Sequence, residues 1–290
     1  MRSISGKRSN RGKPISNQHL STVSFIPLKG DIFHVNTKRH LSILGVFLLI
    51  YALLVFLSTL ITPADQLVPP GTLPDAAAEI PQWQIALASV GMVIVLYGIL
   101  GAAGIWFARK LELPGVYREG AGWSDGLLTP LRIGLGLGVV SVGIDRFIAF
   151  TISTEGLPHP DFPLSILASG SAGIGEEIMF RGFVFGLWAF IFNWLLRRWS
   201  ARRTTLWIAN IIAALAFNAA HLPSAMLLLG ASSPAELPIW VIIEGSLINL
   251  IVGIVAGERY IRDGLVAAMG VHFWTDVVWH VLWPLLYSII

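Results

Sequence analysis

Three groups of polar residues interrupt apolar stretches in the second half of this chain. The first is Gly175-Glu176-Glu177-Ile178-Met179-Phe180-Arg181-Gly182. Glu177 and Arg181 are four residues apart, so on a helix they share a face and can pair. Pairing offsets part of the cost of burying each charge. Glu176 is turned away by about 100° on a helix of 3.6 residues per turn. The spacing therefore reads as a Glu177–Arg181 clasp with Glu176 left as the free, reactive carboxylate. The second group is Phe217-Asn218-Ala219-Ala220-His221, where the Phe217 ring shares a helical face with the His221 imidazole. The third is His272-Phe273-Trp274-Thr275-Asp276, where His272 and Asp276 share a face. A histidine with a carboxylate one turn away reads as a ligand pair, or as a ligand with its orienting partner.

Two imidazoles near a carboxylate can hold a divalent metal, or a water directly. Activated water beside a glutamate base is a route to amide hydrolysis. Asp276 is a weak oxyanion donor while it is an anion. The competing structural reading makes both glutamates ion-pair partners of Arg181 and each histidine an inter-helix hydrogen-bond donor. The presence of all three groups together favours chemistry.

The elements that must position these residues are membrane spans. The chain has 290 residues, of which 54% are hydrophobic and 13% charged, against roughly 25% charged in a soluble domain. Mean hydropathy is +0.70. The chain reads as all-α, a polytopic integral membrane helical bundle. The composition excludes a disordered chain, a nucleic-acid-binding module and a disulfide scaffold. There is no cysteine, which removes thiol catalysis, Cys-ligated zinc and iron–sulfur clusters. A spanning helix needs ~20 mostly apolar residues. Seven stretches qualify: 41–61, 85–108, 127–152, 164–196, 204–222, 238–257 and 264–288. A continuous helix over 164–196 would be ~50 Å long at ~1.5 Å per residue, against a hydrocarbon core of ~30 Å. Gly170, Gly173 and Gly175 offer breaks, so the sequence predicts a kinked long helix or a re-entrant piece before Glu176, which would count as an eighth segment.

Residues 1–40 hold eight of the 20 Lys and Arg and one acid, Asp31. This segment reads as a basic, poorly ordered cytoplasmic tail that anchors topology. Loops 109–126 and 197–203 carry three and four Lys or Arg, whereas 62–84, 153–163 and 223–237 carry none. Positive-inside reasoning then gives a cytoplasmic N-terminus, seven crossings and an external C-terminus, most simply in the plasma or inner membrane. Residues 41–152 read as packing and anchoring helices, and 160–290 as the catalytic core.

The three motifs in order resemble those of the CPBP family of intramembrane metalloproteases, the CAAX prenyl endopeptidase and bacteriocin-processing group also called Abi. The match is to Glu-Glu-x-x-x-Arg (Glu176, Glu177, Arg181), Phe-x-x-x-His (Phe217, His221) and His-x-x-x-Asn/Asp (His272, Asp276). The run from Gly253 to His272, with a short polar turn at 258–263 and Gly264, is also similar. The resemblance covers roughly residues 160–280. It implies that Glu176 activates water, that His221 and His272 bind that water or a metal, and that Glu177, Arg181 and Phe217 support them. It also implies a divalent metal on Glu176, His221 and His272, with zinc suggested by the ligand types. Asp276 stands where prenyl-protein members have an Asn that helps stabilise the oxyanion. That departure weakens the transfer of a prenylated substrate and leaves the oxyanion donor open.

The expected function is intramembrane hydrolysis of a peptide or membrane-protein substrate, with the lipid bilayer as the standing partner, no nucleic acid and an oligomeric state left open. Alternatives are a non-proteolytic scaffold or immunity protein of the same fold, and a transporter using Asp145, Arg146, Glu244, Asn249 and His280. A serine protease built on Ser169-Gly170-Ser171 is a weaker rival. The signatures His-Glu-x-x-His and Gly-x-Gly-Asp are absent.

Overall fold

A computed structural model describes residues 36–62, 80–153, 156–196 and 201–289. Among the described residues seven helices are long and apolar enough to span a membrane: α1 Thr37–Ile61, α2 Gln82–Leu111, α3 Ser124–Ser153, α4 Leu164–Leu196, a fifth over Arg202–Leu229, α7 Ile239–Asp263 and α8 Leu265–Tyr287. The fifth is built of α5 Arg202–Ala220 and α6 Leu222–Leu229. Among the described residues there is no strand. The protein is an all-helical polytopic membrane bundle. Its outer face exposes Leu49, Val139 and Phe150, while Asp145, Glu177, Arg181 and Glu244 are fully buried. This is the distribution a lipid solvent requires, with charge turned inward; Glu177 pairs with Arg181 and Asp145 with Arg146.

Several boundaries differ from the sequence reading. α1 starts at Thr37, four residues before the purely apolar run, because the Asn36 side chain caps it by accepting from the Arg39 N–H. Residues 1–35 of the expected basic tail lie outside the described residues, as do most of the acidic 62–84 loop and residues 197–200. α4 does not break at its glycines. It is continuous, and it widens to π-helical geometry over Ile178–Phe185, just after the two glutamates. Its glycines serve close packing instead. A Cβ on Gly175 would overlap the Tyr51 ring, and one on Gly173 would lie 3.1 Å from Phe273. The 258–263 segment is not a turn but the last turn of α7. Glu258 pairs with Arg262 and Arg259 with Asp263 at i,i+4 spacing, and the chain reverses only at Gly264, with φ +93°.

α8 is the central element and packs against α3, α4 and α7. Its contact with α3 depends on small residues. A Cβ on Gly134 would lie 2.6 Å from the Val271 carbonyl, and one on Gly138 would collide with Val278. The first turn of a helix carries N–H groups with no partner inside the helix. In α8 the carbonyls of Gly115 and Val116 satisfy two of them, accepting from Leu265 (2.9 Å) and Val266 (2.8 Å). The Val116 N–H in turn donates to Nδ1 of the buried His40 at 3.0 Å. The α2–α3 connection thus links α1 to the start of α8 and fixes the helix that carries His272 and Asp276.

Candidate active site

Glu177, on α4, has no exposure to solvent. Its Oε2 lies 3.2 Å from Nε of the equally buried Arg181, the expected clasp. Its Oε1 lies 2.8 Å from Nδ1 of His272 on α8, a contact the sequence could not show. The carboxylate accepts there, so Nδ1 carries a proton and Nε2 of His272 is the nitrogen turned to the cavity. Arg181 also donates from Nη2 to the Gly253 carbonyl of α7 at 3.1 Å. Its guanidinium stacks over the Phe217 ring, 4.6 Å from the centroid. Phe217 therefore does more than flank His221. It touches Arg181, the His221 ring at 4.6 Å and the edge of the His272 ring at 5.4 Å.

Glu176 points the other way. Its Oε2 lies 3.8 Å from Nε2 of His221 and 3.9 Å from Nε2 of His272. That oxygen is buried and has no hydrogen-bond partner. His221 stands at the joint between α5 and α6, and its Nδ1 donates to the Phe217 carbonyl at 2.8 Å. Its Nε2 is thereby turned toward Glu176. Asp276 completes the group, with Oδ2 3.5 Å from Nε2 of His272. The π-helical stretch Val277–Leu282 begins one residue later, so α4 and α8 both widen directly after their site carboxylates. Wide turns of this kind are frequent at functional sites.

Glu176, Phe217, His221, His272 and Asp276 border one cavity of about 310 Å³. Leu157 and Pro160 of the 156–163 segment, Leu228 of α6 and His280 of α8 also line it. It lies at the end of the bundle where α4 begins, opposite the Gly264 turn. One lining residue that the motifs did not single out is Asn249. Its Nδ2 lies 3.5 Å from Oδ1 of Asn218, whose own Nδ2 donates to Ser246. The sequence signal for it was only that a polar residue stands inside a span. Of the polar residues offered for a transport path, Asn249 and His280 border the cavity, whereas Asp145, Arg146 and Glu244 do not. Arg146 pairs with Asp145 rather than with Glu244. Asp145 also accepts from the Leu157 N–H at 2.9 Å. Ser169 and Ser171 donate to carbonyls of their own helix at 2.8 Å each, so neither hydroxyl faces a base.

The expected metal ligands converge but do not form a ligand set. A tetrahedral zinc, bound at ~2.0–2.1 Å from each ligand atom, holds those atoms about 3.4 Å apart. Glu176 stands at 3.8 and 3.9 Å from the two imidazole nitrogens. Among the described residues, no three His, Asp or Glu side chains are grouped to hold a metal ion. The spacing suits a water oxygen at ordinary hydrogen-bond length from each of these atoms.

No curated protein and no solved structure matches the chain. A family model does match, and it takes in residues 158–163, Glu176, Glu177, Arg181, Phe217, His221, His272 and Asp276. Residues 158–278 of this integral membrane protein match the model of the Type II CAAX prenyl endopeptidase Rce1-like family.

Proposed function

We propose that the protein is an intramembrane endopeptidase that hydrolyses a peptide bond by Glu176-assisted attack of water. The observation that carries this reading is the buried, unpartnered Oε2 of Glu176, faced by the Nε2 atoms of two imidazoles from two other helices. A water held there donates one hydrogen to Glu176 and the other to an imidazole Nε2. Glu176 takes a proton as the water oxygen bonds to the substrate carbonyl carbon. The carbonyl becomes an oxyanion. With Asp276 an acid, the neutral amide of Asn249 on the cavity wall is the donor assigned to it. Glu176 then returns its proton to the departing amine and the C–N bond breaks. Glu177, Arg181 and Phe217 hold His272 and His221 in place. No step is routed through a metal.

The charge pattern of the loops supports a cytoplasmic N-terminus in a plasma or inner membrane. In that orientation the cavity opens toward the outer leaflet, since it lies at the end where α4 begins. The substrate is then a peptide or a membrane protein reached from that side.

The test uses purified full-length protein and a mixed set of quenched peptides, some prenylated. Wild type is expected to cleave, Glu176→Gln to lose about 10²- to 10⁴-fold in rate, and Asn249→Ala about 10²-fold. Cleavage by Glu176→Gln at the wild-type rate sinks the mechanism. A wild type that is folded and inactive on every peptide favours the scaffold reading.

A further inference from the structure

The cavity beside Glu176 has a volume of about 310 Å³, at the lower end of the ~300–1,000 Å³ found for small-molecule sites. An extended chain advances ~3.3 Å per residue and fills a slot ~5 Å by ~10 Å in section, so about two residues occupy that volume. A polypeptide laid across Glu176 needs more room, and part of the wall has to move. The walls given by α4, α7 and α8 are long spans packed against other spans. Two short pieces remain. One is α6, which joins α5 at His221, so its movement would carry that imidazole away from Glu176. The other is 156–163, which borders the cavity through Leu157, Pro158 and Pro160 and carries none of the residues around Glu176. Residues 156–161 have no regular structure, and Pro158, Pro160 and Pro163 supply no backbone N–H. Among the described residues, two polar contacts tie 156–160 to the bundle. The Leu157 N–H donates to Oδ1 of Asp145 at 2.9 Å, and Leu157 also packs against the cluster of Ile248, Val252 and Trp279. The second contact is a single bond between two rings, Nδ1 of His159 to Nδ1 of His280 at 2.9 Å. One of the two nitrogens carries the proton and the other accepts it.

We infer that residues 158–163 form a strap across the cavity, anchored at Leu157 and at the start of α4 and latched by the His159–His280 contact, and that a substrate chain reaches Glu176 only after the latch opens. What passes the strap rests on the endopeptidase reading; the strap itself does not. Its three prolines stiffen it, so it moves as one piece. A hydrogen bond between neutral groups has a small net worth, which fits a contact that opens in every turnover. His280 stands on α8 four residues beyond Asp276, so the strap closes onto the helix that carries two of the site residues.

The chain has no cysteine, so a single introduced thiol reports access. Ala168→Cys places one on the α4 wall of the cavity, and Ser232→Cys places a control on an exposed loop. The probe is a charged, water-soluble methanethiosulfonate, used on purified full-length protein. His159→Phe and His280→Phe each keep a ring and lose the latch. Each is expected to speed labelling of the Ala168→Cys thiol by about 3- to 10-fold and to leave the Ser232→Cys control unchanged. His159→Asn, which can still donate to His280, is expected to stay within about twofold of the latched rate. Unchanged labelling in both Phe variants overturns the strap. In a second arm, His159→Cys and His280→Cys are combined and joined by a short bis-methanethiosulfonate. Peptide cleavage is expected to fall at least about tenfold and to return on reduction. Full cleavage by the cross-linked protein overturns the gating role. Labelling that responds to the latch, in a wild type that cleaves none of the mixed peptides, upholds the strap and counts against the peptidase reading alone.

Discussion

Nδ1 of His272 lies 2.8 Å from Oε1 of Glu177, a residue 95 positions earlier in the chain. This contact joins α8 to α4 and fixes the tautomer of an imidazole whose other nitrogen faces Glu176. On the proposed reading Glu177 is a positioning residue, and it is the counter-ion of Arg181. Replacing it by Gln removes the charge partner of a fully buried guanidinium, a loss of about 3–5 kcal/mol. Glu177→Gln should lower the thermal midpoint and reduce kcat by about 10- to 100-fold. Adding Arg181→Met should restore much of the stability without restoring kcat. A double variant as active as wild type would show that Glu177 only neutralises Arg181.

Glu176 behaves differently because its Oε2 makes no hydrogen bond. Glu176→Gln should leave the thermal midpoint unchanged or higher, since the variant buries no new unpaired charge. A clear loss of stability in Glu176→Gln, measured by thermal melting in detergent, would mean that this carboxylate is structural.

The gap between Glu176 and the two imidazole nitrogens is wider than the spacing of zinc ligands. Dialysis against a chelator should leave the cleavage rate within about twofold, and metal analysis of the purified protein should find less than one equivalent. Activity lost on dialysis and recovered with zinc would show that the side chains draw together around a metal.

Gly138 of α3 lies where any Cβ would meet Val278 of α8. Gly138→Val should destabilise the protein by about 1–3 kcal/mol through overpacking, and should also impair activity, because it displaces the helix that carries Asp276. Gly143, with open space around it, is the control, and Gly143→Val should be close to neutral. Equal behaviour of the two variants would remove the packing argument.

His159 lies outside the spans, where its Nδ1 meets Nδ1 of His280 at 2.9 Å. Burial pushes its pKa down to about 4, with Asp145 opposing and Arg146 reinforcing the shift. The fold therefore holds His159 neutral, and its contribution to stability is complete above the ordinary histidine value near 6.5. That contribution is lost progressively as pH falls from there to about 4. Hydrogen exchange in 156–163 should speed up across this window in wild type and not in His159→Phe. An unchanged exchange rate would show that the pair does not hold the segment.

The sequence alone determined the solvent, the number of spans among the described residues, and which polar residues stand inside spans with a partner one turn away. Those properties depend on composition and on i,i+4 spacing, and both are local. Helical periodicity is enough to say that Glu177 can reach Arg181, and it separates Glu176 from that pair. The tertiary structure decided what lies between helices. It showed that Glu177 serves His272, that Phe217 is shared by Arg181 and both imidazoles, and that Asn249 reaches the cavity wall. Apart from Phe217–His221, none of these contacts has a sequence period, because each joins residues of different spans. The glycines of α4 make the same point. Read locally, they offered a place to break an overlong helix. In the bundle they are the surface against which Tyr51 and Phe273 pack, and the helix stays whole because close packing satisfies what a break would have exposed.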